Sequence, residues 1–252
     1  MQKDISSEKV DIVIPQSWQE LSDKQLKRIF KLLSMDFDSD EVAVLIFLFL
    51  SDLEIIGSYD KKHYILRHKK LFFESSVEEV AEWSKCVDFL LIPPDSPVRI
   101  EKWRRRKALS ADLQDEQFST YIIIDNLYQG YLFTEDSQYL DQIIEILYPG
   151  AKAPFPDHMR LNCVFWLAAL KSSLSRRFPD FFTDITASDN PLSSGKISPQ
   201  AIQEAMNAQI RALTKGDITK ENQVLEMDLY RALTELNAQA KEYKELKAKM
   251  KS

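Results

Sequence analysis

Glycine is scarce in this chain, with five in 252 residues, far below the roughly 7% usual for proteins. Hairpins with primed turns, Gly-rich phosphate loops and dinucleotide-binding turns all consume glycine, so the count weighs against a phosphate-cradling α/β architecture and favours helix. Histidine is scarcer still, and the three present (His63, His68 and His158) do not form a metal-binding pattern. His63 and His68 are separated by an odd offset, which puts them on opposite faces of a strand and off the i, i+4 spacing a helical metal site needs. The two cysteines, Cys86 and Cys163, each sit in an apolar helical context. The expectation is a pair of buried thiols in a reducing, cytoplasmic compartment. No HExxH, CxxC, P-loop, GxGxxG or GxSxG motif occurs, so no motif of a known enzyme class marks an active site, and no cofactor or metal is expected.

Long apolar runs are missing as well. The longest candidate, Val42–Leu50, has nine residues against the about 20 that span a bilayer, and reads as a core element rather than an anchor. The opening residues MQKDISSEKVDIVIPQ lack the apolar stretch of a secretory signal. Net charge is −6, which weighs against a general nucleic-acid binder.

What the chain does have is Leu, Lys, Glu, Gln and Ala, which favour helix. The pattern predicts a mainly α fold: a multi-helix globular domain with a small β-hairpin over 57–73 and a C-terminal helical hairpin or arm. Ser22 and Gln25 form a capping box, and Leu26, Ile29, Phe30 and Leu33 then recur at helical spacing. Trp18 and Leu21 precede this helix as a staple. Residues 40–51 are apolar on nearly every side, which places that helix centrally in a core. Ser76 caps a helix over Val77–Leu91 that Pro93-Pro94 terminates. Further helices are expected over 116–133, from Thr134 or Asp136 to Tyr148, and over Met159–Phe178. Residues 183–198 are polar and rich in Ser, with Pro and Gly, and read as a linker. They separate a globular domain (1–182) from an arm (199–252). In the arm, Ser198-Pro199 opens one helix, Gly216 closes it, and a last helix runs to about Lys249.

Three groups of residues are candidate sites. Leu229, Leu236, Tyr243 and Met250 recur every seven positions, with Leu225 and Leu246 in the alternate seam. This narrow stripe suits a coiled-coil contact, so Leu225, Leu229, Leu236, Tyr243 and Leu246 are the expected partner-binding residues. From Arg99 to Lys107 there are six positive residues and one negative, with Trp103 among them. Phosphate contact through Arg104, Arg105, Arg106 and Lys107 would need such a run; a solvated helix face pairing with Asp112, Asp115 and Glu116 is the favoured reading. Asp125 lies on an apolar helix among Phe118, Tyr121 and Tyr128. A buried acid there needs a charged partner, with Arg104, Arg105 and Arg106 as candidates, and a structural ion pair is favoured over acid–base work.

Several stretches resemble a family of uncharacterised proteins from Bacteroidetes prophages and phage-like elements. WQELSDKQL (18–26) is similar to the family's opening. Phe118, Asp125, Tyr128, Tyr131, Thr134, Leu140 and Leu147-Tyr148 follow its middle, and FWLAAL through RRFPDFF (165–182) its closing helix. Residues 210–222 and 231–241 resemble its tails. The resemblance covers about half the chain and brings no catalytic residues. It implies a non-enzymatic, chaperone-like role in phage tail assembly, with a long helical, tape-measure-like tail protein as partner. A homo-oligomer is left open, and no membrane partner is expected. The alternative is a nucleic-acid-binding or regulatory factor using 99–107.

Overall fold

The computed structural model describes residues 12–182 and 199–250. It is mainly helical, with one small antiparallel sheet and a two-strand ribbon. The chain divides into two compact units at Ile92/Pro93, where consecutive prolines cannot continue a helix. The expected linker, 183–198, lies outside the described residues, and 199–250 groups with 93–182 in the second unit.

In the first unit, α1 (Asp23–Leu33) starts with the expected capping box: Gln25 N–H donates to Ser22 Oγ and Ser22 N–H to Gln25 Oε1. The Trp18 ring stacks on Phe30 at 5.6 Å, and its Nε1 donates to the Phe89 carbonyl. α2 (Ser39–Leu50) buries Val42, Ala43, Ile46, Phe47 and Leu48 and packs on α1, on the following sheet and on the helix after it. Its all-round apolarity reflects that central position. The expected hairpin at 57–73 is a three-stranded meander, β1 (Leu53–Ser58), β2 (His63–His68) and β3 (Leu71–Ser76), in the order β1-β2-β3. Leu66, fully buried, pairs with Ile55 and Phe73. α3 (Val77–Ser84) is capped by Ser76 as expected but tightens into a 3-10 helix over Lys85–Leu91. That places Val87 and Leu90 in the core and leaves Cys86 exposed, which corrects the expectation of two buried thiols.

The second unit opens with a ribbon, β4 (Lys102–Trp103) paired with β5 (Arg106–Lys107). The expectation of a helix in the basic run was wrong: Arg104 has φ 52°, a turn conformation that no helix accepts. α4 (Phe118–Thr134), α5 (Ser137–Leu147) and α6 (Asp157–Arg177) follow close to their expected bounds. α5 packs on both neighbours, and Trp166, Ile143, Ile144 and Phe118 are among the most deeply buried side chains. α7 (Pro199–Thr214) ends at Gly216, whose φ of 82° is the left-handed conformation glycine adopts most readily; Gly216 N–H donates to the Arg211 carbonyl. The expected single last helix is two: α8 (Glu221–Leu225) and α9 (Leu229–Lys249). They are separated by residues 226–228, where Phe118 N–H donates to the Met227 carbonyl and Leu229 N–H to that of Glu116. Asp228 then caps α9 by accepting from Arg231 N–H.

Candidate interaction surface

The break at 226–228 determines how α9 is used. Tying its first residue to the start of α4 lays the proximal half of the helix along the core. Leu229, Ala232, Leu233 and Leu236 are buried there, against α4 and α7. Polar contacts continue the attachment. Tyr230 Oη donates to the Asp112 carbonyl (2.8 Å), the Arg177 guanidinium lies 4.2 Å over the Tyr230 ring, and Phe181 N–H donates to Asn237 Oδ1 (3.0 Å). Lys244 Nζ donates to the Asp180 carbonyl at 2.7 Å.

From Tyr243 onward the stripe is uncovered. Tyr243 is 62% exposed, Leu246 60% and Met250 88%. The residues expected to bind a partner therefore fall into two sets. Leu229 and Leu236 belong to the fold's own core, and Leu225 is half-buried in α8, whereas Tyr243 and Leu246 present their side chains to solvent. A heptad pattern is blind to this difference, because an intramolecular seam and an intermolecular one share the same spacing.

The basic run also divides. Arg104, Arg105, Arg106 and Lys107 are exposed on the ribbon, but Arg106 Nη1 donates to the Pro149 carbonyl. Trp103 meets Phe155 and His158 edge-on, at 6.2 and 6.0 Å. Arg99 leaves the surface altogether: it is 5% exposed, and burial pushes its guanidinium below the usual arginine range.

Asp125 is half-buried and paired, though not with Arg104, Arg105 or Arg106. Lys171 Nζ lies 2.5 Å from its Oδ1 and 5.6 Å from the Tyr128 ring centroid. Burial pushes the Tyr121 and Tyr128 hydroxyls up. A more deeply buried acid escaped the sequence reading. Asp141 on α5 accepts a two-pronged contact from Arg160 on α6, Nε to Oδ1 and Nη2 to Oδ2, each at 2.8 Å. The signal that singled out Asp125, an acid on the apolar face of a helix, was also present at Asp141, between Leu140 and Ile143. A surface cleft of about 310 Å³ lies beside the end of α7, lined by Ile210, Arg211, Thr214 and Ile218 among others. No group of three or more His, Cys, Asp or Glu among the described residues could hold a metal ion, and no helix among them is long and apolar enough to cross a membrane.

Comparison with protein-family models, curated proteins and solved structures finds no match to this chain.

Proposed function

We propose that this chain is a non-enzymatic protein-interaction factor that docks a partner helix on the distal half of α9, in the manner of an assembly chaperone of phage or prophage tails. The observation that carries the docking surface is one stripe with two fates: buried at Leu229 and Leu236, exposed at Tyr243, Leu246 and Met250. Burial of the proximal half fixes the helix in direction and register, so the distal half is presented as a pre-formed ridge, which lowers the entropic cost of binding. The stripe is one residue wide and suits a single helix packed alongside it. Glu242 borders it on one side and Lys247 on the other, so the complementary partner is an amphipathic helix whose flanks carry charges of both signs. The tail-assembly setting, with a tape-measure-like protein as the source of that helix, rests on the family resemblance of 18–26, 116–148 and 165–182.

The test uses the full chain. Tyr243→Glu with Leu246→Glu leaves the core untouched and abolishes capture of a long helical partner. Undiminished capture by the double variant overturns the docking site, and self-association lost in the same variant would identify a second copy as the occupant instead. The nucleic-acid reading retains Arg104 and Arg105 at the exposed turn of the ribbon. It requires a salt-sensitive mobility shift that disappears when both are changed to Glu.

A further inference from the structure

The second unit buries a cation that forms no ion pair with a carboxylate among the described residues. Arg99 Nη1 is buried and has no hydrogen-bond partner. Its guanidinium carbon lies 5.2 Å from the Trp166 ring centroid and 5.8 Å from that of Tyr148. Such faces attract a cation electrostatically, but they do not replace the hydrogen bonds its N–H groups leave behind in water.

A second orphan donor lies in the same neighbourhood. Asn162 is 1% exposed, and its Oδ1 accepts from the N–H of Ile100, next in sequence to Arg99, at 3.2 Å. Its Nδ2 is buried with no partner. Turning the amide over would not help, because Nδ2 would then face the Ile100 N–H. Trp166 is one turn beyond Asn162 on α6, so the ring under the guanidinium and the unpaired amide share a helix face. Half-buried Glu116 acts on Arg99 through space, but no ion pair links them among the described residues, and other nearby groups do not supply the missing hydrogen bonds. Asp141 is committed to Arg160, and the buried Cys163 thiol is pushed up to about 12, so it stays protonated at neutral pH. Two unpaired donors, one of them a buried cation, call for an acceptor that carries negative charge.

We propose that Arg99 Nη1 and Asn162 Nδ2 together hold a small inorganic anion, of the chloride or phosphate class, taken up from solution. The site belongs to the second unit alone and is independent of the docking surface on α9.

The experiment is thermal unfolding of the full chain at constant ionic strength, exchanging gluconate for chloride or for inorganic phosphate. The expected result is a saturable rise in Tm of about 5 °C at an anion concentration on the order of 100 Kd. A response to chloride alone identifies a halide site, and a response to phosphate alone an oxyanion site. Arg99→Met removes the dependence. Asn162→Asp removes it as well, because a carboxylate at that position still accepts from Ile100 N–H and supplies the charge internally; its Tm in gluconate rises above that of the wild type. The second variant decides the matter if the first does not fold. A Tm that does not saturate with either anion, or an equal response in wild type and Asn162→Asp, overturns the proposal.

Discussion

Leu236→Ala and Leu246→Ala remove the same three carbons, a methine and its two methyls, from the same helix, yet they should have very different consequences. Leu236 is 3% exposed in the core of the second unit. Its truncation loses the transfer free energy of the side chain and leaves a cavity between α9 and its neighbours. Buried Leu→Ala changes cost about 2–5 kcal/mol; about 3 kcal/mol is the working value for a residue on a helix packed on one side. Leu246 is 60% exposed, and such a surface change stays within about ±0.5 kcal/mol. In urea, where slopes are about 1–3 kcal/mol per M, a loss of about 3 kcal/mol lowers the midpoint by about 1–3 M. The assay is equilibrium unfolding followed at Trp166, with the other three tryptophans replaced by Phe in the common background so that the signal reports on the second unit. A midpoint for Leu236→Ala indistinguishable from that of Leu246→Ala would refute the division of α9 into a structural and a presented half.

Other outcomes follow from the same structure. Asp141→Asn removes one partner of a charge pair that is 10% exposed on the acid side and 21% on the arginine side. The expected loss is about 2 kcal/mol, below the about 3–5 kcal/mol of a fully buried pair, because Arg160 keeps Asp157 at 3.0 Å; chemical denaturation measures it. With a thiol reagent at neutral pH, Cys86 reacts in the native protein and Cys163, buried and pushed up to about 12, reacts only on unfolding; two thiols titrating at one fast rate would contradict this. The Asp60 side chain beside it raises the His63 imidazole above its ordinary 6.5, while the hydrogen bond from His63 lowers Asp60 below 3.8. The histidine's share of this local stability is complete below pH about 6.5 and is lost as pH rises through its raised value. The acid's share is present above pH about 3.8 and is lost as pH falls through its lowered value. NMR titration of the His63 ring checks this, with Asp60→Asn expected to return the histidine towards its ordinary value.

Much of the helical framework was legible in the sequence because its signals are local. Ser22 with Gln25 and Ser76 with Glu79 close capping boxes within one turn, and Gly216 ends α7 through its own backbone. The failures depend on pairings that helical spacing does not reveal. β1 reads as an unremarkable LEIIGS until β2 pairs with it. The basic run looks helical by composition, but its pairing into a ribbon is set by Lys102 opposite Lys107 and Trp103 opposite Arg106. The break before α9 has a local cap in Asp228, but its cause is the bridge from 227–229 to 116–118, which a chain read in order does not announce. The candidate site was legible as a seam and illegible as a surface for the same reason. Spacing marks which residues share a helix face, while burial of Leu229 and exposure of Leu246 depend on where α4 and α7 end up. Asp125 was recognisable as an acid in need of a cation, but its partner, Lys171 rather than Arg104, Arg105 or Arg106, is chosen by the packing around α4.

The measurement that bears most directly on the proposed role is site-specific photo-crosslinking in the native host, from a photoreactive residue placed at Leu246 in the full chain, with the same residue at Glu235 on the structural half as a control. The expected result is a crosslink from position 246 to a defined amphipathic helical segment of one partner, with none from position 235. Crosslinks from 246 only to this chain itself, or the same products from both positions, would contradict the assignment of the distal half of α9 as the docking surface.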